Sequence, residues 1–135
     1  MSARERLQSM LGATDEQMSV LLENNAPIEI IERIIKICEA VKEKHPEAVF
    51  GITPGYAKIS VPPGKRGTKV VELIPLQNEV VVNVMKLPKA PAFQKGRPQN
   101  FSDGSLNWYR LDYREESDFD TMLGAILDVY DQKLN

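Results

Sequence analysis

The chain has 135 residues, is 42% hydrophobic, and sets 17 Lys/Arg against 19 Asp/Glu, a formal charge of -2. Those values describe an ordinary globule with one core and exclude a disordered tail, a membrane-embedded chain and a uniformly basic nucleic-acid coat. One Cys (Cys38) and one His (His45) exclude an intramolecular disulfide framework and most metal sites.

Helical signals come first along the chain. Ser2-Ala3-Arg4-Glu5 has the form of a capping box, in which the serine hydroxyl accepts an early backbone N–H and the glutamate reaches back. Leu7, Met10 and Leu11 share a face, and Gly12 suits a left-handed stop. Thr14 to Gln17 repeats the capping pattern ahead of Met18, Leu21 and Leu22. From Pro27 to about Lys44, Ile31, Ile34, Ile35, Cys38 and Val41 recur at three- and four-residue steps, the spacing of an amphipathic helix. His45-Pro46 ends it, because the residue before proline is driven out of helical backbone.

The period then drops to two. Val49 to Ile52, Tyr56 to Val61, Lys69 to Leu76, Glu79 to Leu87 and Leu106 to Tyr113 read as strands, the first three separated by Pro- and Gly-bearing turns and the third and fourth by Gln77-Asn78, which lacks the glycine that favours a two-residue turn. A last helix is predicted from about Asp118 to Lys133, capped by Ser117, with Phe119, Met122, Leu123, Ile126, Leu127, Tyr130 and Leu134 as its apolar stripe. A meander cannot bury its apolar face alone. The expected fold is therefore α+β: an antiparallel meander of about five strands packed on amphipathic helices as a two-layer sandwich. Residues 1–24 read as a helical appendage, and residues 27–135 as core helix, meander and C-terminal helix. The charged N-terminus has no apolar run behind it, so no secretory signal is expected, and the expected compartment is cytoplasmic with no membrane partner.

Charge is segregated. Residues 1–50 carry a net -3, residues 51–100 a net +6, and residues 101–135 a net -5. Lys65, Arg66 and Lys69 fall on a hairpin connection, and Lys95 and Arg97 on a long Pro/Gly-bearing stretch between the fourth and fifth strands. If these five met phosphates together, log affinity would fall against log salt with a slope of roughly -4. Lys95-Gly96-Arg97-Pro98 resembles the core of an AT-hook, a minor-groove reader whose usual core is Arg-Gly-Arg-Pro. Here Lys95 replaces the first arginine, and Gln94 stands where a proline is customary. The resemblance implies a DNA contact through those four residues. Phe93 and Phe101 flank the element as candidate stacking or anchoring rings. In the last strand, alternation sets Trp108 on one face and Tyr109, Leu111 and Tyr113 on the other, so one aromatic set belongs to the core and the other offers a contact surface.

Chemical motifs are sparse. Gly64-Lys65-Arg66-Gly67-Thr68-Lys69 has phosphate-loop residues at the wrong spacing, and no helix follows to add its dipole. His45 at a helix end suits a cap-like role, and Cys38 in mid-helix suits inert packing. No residue is assigned a catalytic, metal-ligating or cofactor-binding role. The leading expectation is a non-enzymatic interaction module. It would engage a protein, another macromolecule or a second copy of itself through basic sheet loops or an aromatic strand. The residues named for it are Lys65, Arg66, Lys69, Lys95, Arg97, Phe93, Trp108 and Tyr109. A nucleic-acid-binding regulator using loops 62–69 and 88–104 is the alternative, and a small carboxylate- or metal-dependent enzyme the third class.

Overall fold

A computed structural model describes residues 1–87, 101–102 and 107–135. The fold is α+β. Helices α1 (Ala3–Leu11), α2 (Asp15–Leu21) and α3 (Ile28–Lys44) precede strands β1 (Val49–Thr53), β2 (Tyr56–Ser60), β3 (Lys69–Pro75), β4 (Val80–Met85), β5 (Phe101–Ser102) and β6 (Trp108–Tyr113). Helix α4 (Phe119–Leu134) closes the chain. The sheet is antiparallel in the order β1-β2-β3-β4-β6-β5. The five expected strands are present, and the two-residue β5 adds an edge beyond β6.

Both capping boxes form as the residue types require. Ser2 Oγ accepts from the Glu5 N–H at 3.1 Å and Thr14 Oγ1 from the Gln17 N–H at 3.1 Å, with the reciprocal bonds also in place. Gly12 ends α1 at φ +62°. The start of α4 departs from expectation. A 3-10 turn over Glu116–Asp118 leads into the helix, so the Asp118 carboxylate, rather than the Ser117 hydroxyl, accepts the Arg114 and Glu115 N–H groups at 3.0 Å each. Leu134, expected on the apolar stripe, is 48% exposed, whereas Ala125 and Val129 are buried.

One core runs through the molecule. Ile30, Ile31, Ile34, Ile35, Ile37, Cys38 and Val41 of α3 and Met122, Ala125, Ile126, Val129 and Tyr130 of α4 meet one face of the sheet. That face is set by register: Ala57 and Ile59 stand beside Leu73 and Val71, which stand beside Val82 and Val84, followed by Leu111 and Tyr109. Leu7, Leu11, Met18 and Leu21 of the first two helices are buried in the same core. No described helix is long and apolar enough to cross a membrane.

The alternate residues of the same strands form the opposite face: Gly51 and Thr53; Tyr56, Lys58 and Ser60; Glu72 and Ile74; Val81, Asn83 and Met85; Trp108, Arg110 and Asp112. Lys69 would belong with Val71 and Leu73 by strict alternation. A bulge prevents that, because Ile59 pairs with Val71 while Ser60 pairs with Lys69, which leaves Val70 as the extra residue. A bulge re-aims the side chains beside it. Val70 turns into the core, and Lys69 swings to the polar face to join Glu72 and Tyr56.

Candidate functional site: a basic basin on the polar sheet face

The connection from β2 to β3 folds back over the polar face. It is tied by the Val61 N–H to the Thr68 carbonyl at 3.0 Å, the Gly64 N–H to the Val61 carbonyl at 3.0 Å, and the Thr68 hydroxyl to the Lys65 carbonyl at 2.6 Å. Gly64 is required twice over. Its φ is +77°, and a Cβ there would lie 2.8 Å from Val49 Cγ1. Between this connection and the strands lies a basin of about 330 Å³. Thr53, Tyr56, Lys58, Ser60, Lys65, Arg66 and Lys69 line it together with Gly64 and Gly67. The lining contains four cations, three hydroxyls and no carboxylate.

Lys58 reaches the basin because the residue across from it is Gly51. The lysine stem lies where a Cβ at position 51 would fall, 2.9 Å from Cε. Lys65 and Arg66 are exposed, and no ion pair of the described residues reaches them or Lys58. Lys69 is different. Its Nζ donates to Glu72 Oε2 at 2.7 Å and to the Tyr56 hydroxyl at 2.8 Å, and Glu72 also accepts from Asn83 at 3.2 Å. Partial burial works to lower the Lys69 pKa, but the bonds to Glu72 and Tyr56 carry it above the usual lysine value. The ammonium also lies 4.6 Å from the Tyr56 ring centre and 5.3 Å from that of Trp108.

Of the residues singled out in the sequence, Lys65, Arg66 and Lys69 therefore converge, and Trp108 stands beside Lys69. Tyr109 does not join them. It lies on the helix-covered face against the core, with Lys86 Nζ 5.1 Å from its ring centre. Phe93, Lys95 and Arg97, and with them the AT-hook resemblance, lie outside the described residues. Lys58, Tyr56, Thr53 and Ser60 were missed. Their signal was present in the alternation of β2, where Ala57 and Ile59 face the core and the polar residues face away.

Elsewhere on the same face, charges are matched. Glu79 pairs with Arg114 at 2.7 Å, and Asp112 with Arg110 at 2.9 Å. A larger hollow of about 860 Å³ lies between α3 and the start of α4. Its two cations are spoken for: Lys36 and Arg33 both pair with Glu116, and Arg33 also donates to the Arg114 carbonyl at 2.8 Å. Arg33 is thereby drawn away from Glu29, with which the sequence spacing would pair it.

His45 fastens two helix ends. Its ring stacks on Tyr130 with centroids 4.2 Å apart, and its Nε2 lies 2.9 Å from Asp131 Oδ1. The Tyr130 hydroxyl donates to Glu47 Oε2 at 2.6 Å. Burial first, then that bond, pushes the Tyr130 hydroxyl well above the usual tyrosine range. Burial likewise pushes the Cys38 thiol up to about 12, which keeps it protonated and unreactive at neutral pH. Among the described residues, no three His, Cys, Asp or Glu side chains are grouped as a metal ion would require. No protein-family model, curated protein or solved structure matches the chain.

Proposed function

We propose that the protein is a binding module, not a catalyst, that holds a polyanionic macromolecule against the polar face of its sheet. The observation that carries this reading is the basin lined by Lys58, Lys65, Arg66 and Lys69 with no carboxylate among its lining residues. Cations gathered in a concave surface focus potential and draw anions in. Three of these four have no ionic partner in the described structure, so an anion entering the basin displaces no internal salt bridge from them. The matched pairs around Glu79 and Asp112 and the paired cations of the α3–α4 hollow lack that property.

The test is retention on immobilised heparin at low salt. The wild-type chain is expected to bind and to elute as salt is raised. Lys65→Glu/Arg66→Glu is expected to pass straight through while its unfolding free energy stays within about 0.5 kcal/mol of wild type, as for other exposed substitutions. Wild-type protein that fails to bind at low salt, or a double variant that elutes with it, overturns the reading.

A further inference from the structure

We infer that the polyanion is single-stranded nucleic acid, with phosphates in the basin and bases laid against Tyr56 and Trp108. This rests on the polyanion reading above and names the ligand class of the same site. The basin does not end at its cations. Lys69 forms its inner wall, and the same ammonium sits over both aromatic rings, so the two ring centres lie within about 10 Å of each other; Tyr56 lines the basin and Trp108 stands beside it across Lys69. Tyr56 and Trp108 are both partly exposed on the face that no described helix covers. Cations that track a backbone beside rings on which bases stack are the two ingredients of sequence-tolerant single-strand binding.

The neighbouring ligand classes fit less well. A chain of carboxylates satisfies the cations but brings no flat face to the rings. A duplex keeps its base faces inside the stack and shows only edges, in a major groove about 12 Å wide that admits one helix or a two-stranded ribbon. Tyr56 and Trp108 project from β2 and β6, with β3 and β4 between them. Rings presented on an open sheet meet base faces only when the bases are unpaired.

Trp108 is the only tryptophan in the chain, so its emission reports on its own surroundings. Titration with a short oligo-dT is expected to quench that emission and to show affinity at least about tenfold above that for a duplex of equal length. Tyr56→Ala should weaken oligo-dT binding by roughly tenfold, the loss expected for one stacked base, and by more than it weakens heparin binding. Tyr56→Phe keeps the ring and should bind oligo-dT like wild type. Three results overturn the inference yet leave the polyanion reading standing: equal affinity for duplex and single strand, equal affinity for poly-glutamate, or unmoved Trp108 emission in protein that still binds heparin. Failure of the wild-type chain to bind heparin removes both. The wild-type titration stands even if Tyr56→Ala proves unfolded by circular dichroism.

Discussion

The two faces of the sheet are made from alternate residues of the same strands, and they are held in place by different physics. On the helix-covered face, Ala57, Ile59, Leu73, Val82 and Leu111 are fully buried, and loss of water contact is the source of stability. On the polar face, order comes from named pairs: Lys69 with Glu72, Arg110 with Asp112, Arg114 with Glu79. Pairs of this kind, whose cations stay partly in water, contribute little to folding. The polar face is therefore free to leave charges unmatched, and it does so around the basin. The comparison teaches that the covered face carries the fold, while the uncovered face carries the charge available to a partner.

The largest expected effect lies on the covered face. Leu73→Ala should lower stability by about 2–5 kcal/mol in urea unfolding, the range for a leucine truncated in a core. At temperatures where it remains folded, its heparin retention should match wild type. A loss of retention in folded protein would mean that the two faces are not separable.

Alkali should act on the covered side as well. In the unfolded chain Cys38 loses its proton near pH 9.0, and in the folded chain burial holds the thiol until about 12. Tyr113 is raised from 10.0 to about 12, by burial first and the nearby Glu116 next. Both groups have folded values above their unfolded ones, so from about pH 9 upward the unfolded chain holds fewer protons than the folded one. Stability is then intact below pH 9 and falls as pH rises toward 12. Urea midpoints measured across that range should drop steadily. Cys38→Val should delay the onset toward pH 10, and an unchanged profile in that variant would remove the thiol from the account.

Gly64→Ala couples stability to the shape of the polar face. Its left-handed backbone alone costs about 1–2 kcal/mol for a residue with a Cβ, and the contact with Val49 forces the connection to shift. Lower stability and earlier elution from heparin are expected together. A drop in stability with unchanged elution would show that the tip of the connection does not shape the basin.

The smallest effect sharpens the contrast within the polar face. Among the described residues, Glu72→Gln removes the one carboxylate that compensates a basin cation. Polyanion binding should tighten by about two- to fivefold, the scale of a surface ion pair. Weaker binding would mean that Glu72 serves chiefly to hold Lys69 in position.

Much of this was legible in the sequence, and the gaps have physical causes. The step of three and four through Ile31, Ile34, Ile35, Cys38 and Val41 named α3, and period-two runs named five strands, because both signals come from burial of one side of an element. The setting of Lys65 and Arg66 on a connection was equally plain. The face taken by Lys69 was not, since the bulge at Val70 depends on how β2 and β3 pair across the sheet. The compensation of Lys69 by Glu72 follows from that same bulge. It lowers the count of unmatched basin cations from four to three, Lys58, Lys65 and Arg66, so the salt slope expected from the basin on single strands is roughly -2. The stacking of His45 on Tyr130 joins residues 85 positions apart, a long-range contact that local pattern does not encode.

The central claim is that unmatched cations of the polar face form the contact surface. Backbone amide NMR spectra of the wild-type chain, recorded during titration with a heparin oligosaccharide, test it most directly. The account predicts shifts concentrated in residues 53–69 and fading across the helices. Shifts concentrated along the α3–α4 hollow or around His45, or none at low salt, would contradict it.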